Sequence, residues 1–342
     1  MLVARICDWR SIERGYRRHY YIGTIDVEYG LPLFPLEIYT RQRFNKGQTM
    51  QAVSQEEIRA NRQMDQIISS LGDLPASPAV INLAMNMTSD FNADIAGLSK
   101  TLSADQTLTA KILKLSNSSF YGRAQGVATI EEAIVILGFF TLRSLLIATA
   151  THSLFHSDKP DSPEHKLWEH SLATGMACRK IAEKAACSKV EEAFISGLMH
   201  DIGKLIFLQK MPEDYTEIIG QVEAGQGSFC SLEQDHFGFT HASLGSILMM
   251  KWSFPQNLID AVADHHATDR FSSVEDDVSL AAITNLADMM AKSMGVDFGQ
   301  KAPENLAETE AAKQLGMDDT MIVTIISDLQ ESFTQEKGLF GG

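Results

Sequence analysis

The apolar residues of this chain recur at helical spacing along most of its length after Ser54. Leu108, Ile112 and Leu115, for example, follow one another at intervals of four and three residues, which places them on one face of a helix. Apart from short pieces among the first 50 residues, no stretch keeps the alternation of a half-buried strand. Since there is also no internal repeat of fixed period, the predicted fold class is all-α.

The predicted helices begin and end at recognisable signals. A Ser or Thr followed three residues later by Glu is typical of a capping box, in which the two side chains bond free amides of the first turn. Three such pairs stand at the start of predicted helices: Ser54 with Glu57, Thr129 with Glu132, and Ser188 with Glu191. Gly138 and Gly203 are expected to interrupt helices. Further helices are predicted at 107–115, 164–186, 214–224, 241–252, 257–265 and 278–294.

Charge and composition divide the chain into segments. Residues 1–50 carry a net charge of +3 and the rest carries −18, so the balance changes near Met50. Residues 1–53 are therefore interpreted as a poorly defined N-terminal extension; alternatively, Met50 is the true start. A polar, proline-bearing linker at 157–163 separates an N-terminal helical lobe at 54–156 from a helical core at 164–300. An acidic, helical C-terminal segment is expected at 301–342.

Composition argues against several classes of protein. A formal net charge of −15 repels a phosphate backbone, which disfavours nucleic acid as a partner. The longest apolar runs fall short of the ~20 residues that a membrane span requires, and no secretory signal pattern opens the chain. Four cysteines show no CxxC spacing and no disulfide-like framework: Cys7, Cys178, Cys187 and Cys230. We therefore expect a cytoplasmic protein that does not bind a membrane.

Histidines and aspartates dominate the second half of the chain. Seven residues have the right chemical types for one or two divalent metal ions: His170, His200, Asp201, His241, His265, His266 and Asp288. They lie on several predicted helices, so only tertiary packing can bring them together. His200 and Asp201 are adjacent, and their side chains would diverge by about 100° on a regular helix, which suits a helix end. Histidines that cap helices or lie half-buried are the simpler alternative.

Several short motifs in fixed order resemble a known family. The run 198–205, LMHDIGKL, is similar to the HDIGK variant of the HD phosphohydrolase motif, and His170 and Asp288 stand where that superfamily places further ligands. The wider pattern resembles the HDOD domain, the HD-related output domain of bacterial signalling proteins. The supporting runs are LPASP at 74–78, NSSFYG at 117–122, AI and LG within 133–138, WEHS at 168–171 and HASLG at 241–245.

This resemblance, which extends over roughly 67–294, carries expectations about fold and site. It implies a helical N-terminal lobe packed on an HD-type helical core. In the related HD-GYP proteins, which hydrolyse cyclic di-GMP, positions matching the seven residues above supply metal ligands. The resemblance therefore implies a divalent metal cofactor, with Fe, Mn, Ni and Mg as candidates, and it implies that Lys204 contacts a phosphate.

The chain also departs from the HD-GYP pattern. The paired histidines are followed by Ala267 rather than Glu, and no GYP sequence occurs anywhere. Our first interpretation is therefore a signalling module that binds a signalling protein or a nucleotide-like small ligand and retains a metal site. The alternative is an active metal-dependent phosphohydrolase, in which Asp201 would bridge two ions or orient a water and Lys204 would offset phosphoryl charge. The third interpretation is a purely structural scaffold. The sequence contains no signal that predicts the oligomeric state.

Overall fold

A computed structural model describes residues 105–118, 126–155, 161–271 and 278–341, with scattered positions between 62 and 103, Tyr121 and Lys159. All of them belong to one compact unit, Ser54–Gly342, while the unit Met1–Val53 lies outside the described residues. The predicted Ser54–Glu57 capping box lies outside them as well. The boundaries of the predicted lobe, core and C-terminal segment stay predictions.

Every regular element in the described part of the chain is helical, which confirms the all-α prediction. The α-helices are α1 (Gln106–Ser116), α2 (Ile130–Leu137), α3 (Phe139–Leu154), α4 (Pro163–Lys184), α5 (Val190–Met199), α6 (Ile202–Lys210), α7 (Pro212–Glu223), α8 (Phe229–Phe237), α9 (His241–Lys251), α10 (Gln256–Asp264), α11 (Leu280–Ser293), α12 (Glu310–Leu315) and α13 (Asp319–Gly341). Short 3-10 turns lie at Thr268–Arg270 and Leu306–Glu308. No helix among these combines the length and the apolarity needed to cross a bilayer.

Local signals explain the start of α2 and the break before α3. Thr129 accepts from the amide of Glu132, and the Glu132 carboxylate accepts from the amide of Thr129, so the predicted capping box is confirmed. Gly138 then ends α2 with a φ of 85°, a conformation that favours glycine. The predicted interruption at Gly138 is therefore confirmed, and the chain resumes as α3, most of whose residues are buried.

The start of α5 differs from the prediction. Its N-cap is Lys189, which makes no side-chain cap, so the predicted Ser188–Glu191 box is wrong. Glu191 instead pairs with Arg179 of α4 and accepts a hydrogen bond of 3.2 Å from Thr141 of α3. A partly buried cation and a hydroxyl on neighbouring helices bind this carboxylate better than a solvated amide would.

Helix α4 is the central element of the core, and α5, α11 and α13 pack against it. Two glycines allow α4 and α5 to approach closely. A Cβ at Gly197 would lie 2.6 Å from Sγ of Cys178 and 2.8 Å from the carbonyl oxygen of Thr174, and a Cβ at Gly175 would lie 3.1 Å from the carbonyl oxygen of Phe194. This close contact between α4 and α5 fixes the position of His170, on α4, relative to His200, which directly follows α5.

The prediction that Gly203 interrupts a helix is wrong. Helix α5 ends at Met199, His200 and Asp201 form the junction, and Gly203 lies inside the first turn of α6. A Cβ at this position would overlap the backbone carbonyl of His241. Gly203 is therefore required for the close approach of α9 to α6 rather than for a break.

Candidate metal centre

Five segments bring the predicted site residues together. His170 lies within α4, His200 and Asp201 at the α5–α6 junction, and His241 at the first residue of α9. The histidine pair follows the last residue of α10, and Asp288 lies on α11. All except His266 are buried, with at most 2% of each residue exposed. His266 is exposed and lies at the rim, with its Nε2 3.2 Å from Nε2 of His241.

Asp201 lies at the middle of the cluster. Its Oδ2 is 3.2 Å from Nε2 of His200 and 3.5 Å from Nε2 of His170. Its Oδ1 faces the other way, 3.2 Å from Nε2 of His241. Nε2 of His170 also lies 3.1 Å from Oδ1 of Asp288. One carboxylate therefore faces two separate groups of imidazoles.

Four of the imidazoles are held with the same ring nitrogen pointing outward. Each Nδ1 lies 2.6–2.7 Å from an oxygen that can only accept: the carbonyl of Val296 for His170, of Gly197 for His200 and of Val262 for His265, and the Glu233 carboxylate for His241. Nδ1 must therefore carry the proton in the neutral ring. Such outer contacts are typical of metal-binding histidines because they set the tautomer and aim the Nε2 lone pair at the ion.

Among the residues that the structure describes, the inward atoms find no hydrogen-bond partner. They are Nε2 of His170, His200 and His265, and Oδ1 of Asp201 and Asp288. With Nδ1 protonated, a neutral His170 turns a lone pair toward Oδ1 of Asp288, and His241 does the same toward Oδ1 of Asp201. Buried acceptors facing acceptors are costly unless a cation or an added proton lies between them.

The ligand atoms fall into sets that fit metal ions. His170, His200 and Asp201 form one set whose atoms lie within 4.8 Å of one another, and Asp201, His241 and His265 form a second. Asp201 belongs to both sets, so its two oxygens could serve neighbouring ions. Neutral imidazoles and an ionised carboxylate are the donors that divalent transition metals prefer, so the residues fit the implied cofactor.

Comparison with known proteins gives the family. The HDOD domain model matches residues 74–268, more than half of the chain. The chain belongs to the HDOD family. The predicted resemblance is therefore confirmed.

Several solved structures share the fold. An HDOD protein of unknown function from Geobacter sulfurreducens superposes with a TM-score of 0.68 at 23% identity, covering 83% of this chain and 97% of that chain. A candidate phosphohydrolase from Shewanella amazonensis gives 0.61 at 23% identity, covering 82% and 98%. A candidate signal transduction protein from Marinobacter aquaeolei gives 0.64 at 18% identity, covering 83% and 66%.

Curated relatives match over part of their length. An uncharacterized protein from Treponema pallidum is 24% identical over 58% of this chain, and the match spans 39% of that protein. The Bacillus subtilis protein YuxH is 25% identical over 42% of this chain and is matched over 34% of its own length.

Two lysines neutralise the aspartates of the HDOD centre. Nζ of Lys204 lies 2.8 Å from Oδ2 of Asp201, and Nζ of Lys292 lies 2.7 Å from Oδ2 of Asp288. Burial opposes ionisation of both carboxyls, but His200 and Lys204 hold the pKa of Asp201 well below its usual range, and Lys292 and His170 do so for Asp288. Both aspartates are therefore ionised at neutral pH.

Lys204 itself is buried and packed. Its Nζ lies 4.1 Å from the ring centroid of Phe229. Burial would lower the pKa of Lys204, yet the attraction of Asp201 and Asp288 outweighs it and raises the pKa above its usual value. Lys204, which the family resemblance implies to contact a phosphate, is thus a charged and enclosed partner of Asp201.

The sequence interpretation missed Glu233. This fully buried carboxylate accepts from the hydroxyl of Tyr215 and from both the backbone amide and Nδ1 of His241, each at 2.7 Å. It lies on α8, which was not predicted. A usable signal was present: Phe229 and Phe237 flank Glu233 at intervals of four, so the carboxylate falls on the apolar face of its helix.

Cys230 was also missed. It is half-buried on α8, and its Sγ belongs to a third group of close ligand atoms with His241 and His266. Burial and the neighbouring Glu233 raise the pKa of the Cys230 thiol to about 12. Cys178, Cys187 and Cys230, the cysteines of the described part, form no disulfide.

Proposed function

We propose that this chain is an HDOD signal-transduction module that retains a divalent metal centre and acts by binding a signalling protein or a nucleotide-like small ligand. The observation that supports the metal centre is the set of buried Nε2 and carboxylate atoms that face one another and have no hydrogen-bond partner within the described ranges. A cation at that point would satisfy lone pairs that no donor in the described part of the chain reaches.

The donor set narrows the choice of ion. Four inward imidazole nitrogens and two carboxylates favour Fe, Mn or Ni over Mg, because Mg²⁺ prefers an all-oxygen shell and keeps several waters. His170, His200 and Asp288 would hold an ion on one side of Asp201, and His241 and His265 would hold one on the other side. When bound, a divalent cation supplies Lewis acidity and positive charge at this point.

Enclosure of the centre supports binding over turnover. Apart from His266, the proposed ligands and Lys204 are at most 4% exposed. Lys204 is already committed to Asp201 and to the Phe229 ring, so a phosphoryl group would have to displace both contacts. The absent GYP sequence points the same way. The ion would then stabilise the junction of α4, α5, α6, α9 and α11 in one arrangement.

We do not expect the proposed partner to be a polyanion that is bound through charge attraction. A net charge of −15 disfavours nucleic acid and anionic membrane surfaces. A protein surface or a single nucleotide can be accepted locally despite that balance. The cytoplasmic location stays a prediction from the cysteine pattern.

The second candidate function is a metal-dependent phosphohydrolase. Retention of both Asp201 and Lys204, 2.8 Å apart, favours it. In that function Lys204 would turn from Asp201 toward a phosphoryl oxygen and offset the charge that develops there. Asp201 would orient the attacking water.

Elemental analysis of the purified protein tests the metal proposal. We expect tightly held Mn, Fe or Ni in the wild type and its loss in the His200→Ala and Asp201→Ala variants. His236→Ala, which changes a half-exposed histidine on α8, is the matched control and should keep the metal. Wild-type protein that holds no ion after exposure to each metal would overturn the proposal.

Activity assays separate the two functions. The metal-loaded wild type is assayed against phosphomonoesters, cyclic nucleotides and dinucleotides, with the same two variants beside it. No turnover from a loaded centre supports the binding module. Hydrolysis that disappears in both variants, with His236→Ala still active, establishes the enzyme instead.

A further inference from the structure

A group of potential ligands lies at the outer rim of the metal centre. Sγ of Cys230, a ring nitrogen of His241 and one of His266 lie within 4.8 Å of one another. Cys230 is half-buried and His266 is exposed, unlike the enclosed inner ligands. The group joins α8, the start of α9 and the end of α10, so it forms only in the folded chain.

The spacing of the two imidazoles suits coordination. Nε2 of His241 and Nε2 of His266 are 3.2 Å apart. Two nitrogens at roughly 2.0–2.1 Å from a tetrahedral ion lie about 3.3 Å apart, so the observed pair needs almost no adjustment to share one cation. The Glu233 carboxylate occupies Nδ1 of His241, which leaves Nε2 as the nitrogen available at the rim.

A second observation points to a ligand at the same place. Oδ1 of Asp201 is buried, lies 3.2 Å from Nε2 of His241 and has no hydrogen-bond partner among the described residues. Nε2 of His265 is also buried and has no partner in the described part, and the ring of His265 contacts the tilted ring of His266 at a centroid distance of 3.9 Å. Unsatisfied acceptors therefore line the inner side of the rim group.

Helix α8 places the Cys230 thiol beside His241. Cys230 and Glu233 are three residues apart and lie on the same helical face. Since Glu233 holds His241 by two hydrogen bonds of 2.7 Å, the register between α8 and α9 is set, and Cys230 is placed beside the same imidazole. The thiol takes no part in these two hydrogen bonds, so its role as a ligand can be tested separately.

We infer that Cys230 is a ligand of the ion on the His241 side of Asp201 and that, with His241 and His266, it makes this position selective for a thiophilic divalent cation such as Zn²⁺. The inference rests on the proposed metal centre, which it deepens. On binding, the S–H bond of Cys230 breaks, the proton goes to solvent, and a sulfur–metal bond forms without any change of oxidation state. A thiolate favours Zn²⁺ and Co²⁺ over Mn²⁺ and Mg²⁺.

Cobalt substitution tests the ligand directly. Full-length protein is stripped with a chelator, loaded with Co²⁺ and examined by absorption spectroscopy. We expect a thiolate-to-cobalt charge-transfer band in the near ultraviolet, lost in Cys230→Ser and kept in the control Cys187→Ala. Loss of a direct ligand should weaken Zn²⁺ binding by at least the roughly 10–100-fold that outer-shell changes cause.

Alkylation of the wild type gives a readout that needs no variant. Iodoacetamide should modify Cys230 more slowly in Zn²⁺-loaded than in metal-free protein, as followed by mass spectrometry of its peptide. Retained cobalt with ligand-field bands but no thiolate band, or equal alkylation rates, overturns the role of Cys230 and leaves the proposed function standing. Protein that retains no cobalt at all overturns both.

Discussion

Oε2 of Glu233 lies 2.7 Å from Nδ1 of His241 and 2.7 Å from its backbone amide. One buried carboxylate oxygen therefore orients the imidazole and also satisfies a free amide at the N-terminus of α9, where a helix favours negative charge. Its other oxygen accepts from the Tyr215 hydroxyl at 2.7 Å. The candidate metal ligand is thus held by a residue of a different helix.

Glu233→Gln tests this support. The amide keeps the shape of the side chain but removes the charge that favours the Nδ1–H tautomer of His241. We expect the affinity for Mn²⁺ or Zn²⁺ to fall by roughly 10–100-fold, as measured by titration against a chelator. Glu213→Gln, an exposed change on α7, should leave the affinity unchanged. Equal affinities in wild type and Glu233→Gln would show that His241 does not bind the ion.

Gly203→Ala tests the contact between α6 and α9. The new methyl group would overlap the His241 carbonyl, and backbone cannot yield as a flexible side chain does. We expect the free energy of unfolding in urea to fall by about 3 kcal/mol. Gly220→Ala is the matched control: its Cβ would meet nothing within 4 Å, and the helical position should gain about 1 kcal/mol. Similar effects at both positions would contradict the close approach.

Lys204→Met separates the charge of the lysine from its volume. Without a metal, the change leaves buried Asp201 without its closest cation, so unfolding should become easier by about 3–5 kcal/mol. Added Mn²⁺ should restore much of that loss, because the ion replaces the missing positive charge. Thermal unfolding with and without Mn²⁺ measures both effects, and the exposed Lys210→Met serves as control. If Mn²⁺ stabilises Lys204→Met no more than wild type, Asp201 does not contact the ion.

The stability of the metal-free protein should fall in mild acid because of His265. Burial, and after it the neighbouring imidazoles of His200 and His241, hold the pKa of His265 well below its usual value in the folded state. As the pH falls through about 6.5, the unfolded chain takes up a proton that folded His265 refuses, so the folded state loses stability. At pH values well above 6.5 neither state binds the proton and this loss disappears.

Urea denaturation of chelator-treated protein between pH 8 and pH 5 measures the effect. We expect His265→Gln to show a shallower fall in unfolding free energy than wild type, since glutamine does not titrate in this range. His236→Gln, at a half-exposed position, controls for the loss of an ordinary histidine. A His265→Gln slope as steep as that of wild type would contradict the buried, neutral imidazole.

Local features of the chain were predictable from sequence. The helical fold follows from apolar periodicity, and the Thr129–Glu132 box follows from two side chains that bond amides within one turn. The helix break at Gly138 has the same local origin. The HDIGK run and the histidines around it identified the family because residue types and their order can be recognised in the sequence without knowing how the helices pack.

Only the tertiary structure decided the features that depend on contacts between distant segments. Glu191 caps no helix because Arg179 and Thr141 bind it, and Gly203 interrupts nothing because α9 packs against it. Glu233 and Cys230 gain their place at the centre from the α8–α9 register. Periodicity and spacing describe one segment at a time, whereas convergence, burial and lone pairs left facing one another are properties of how segments pack.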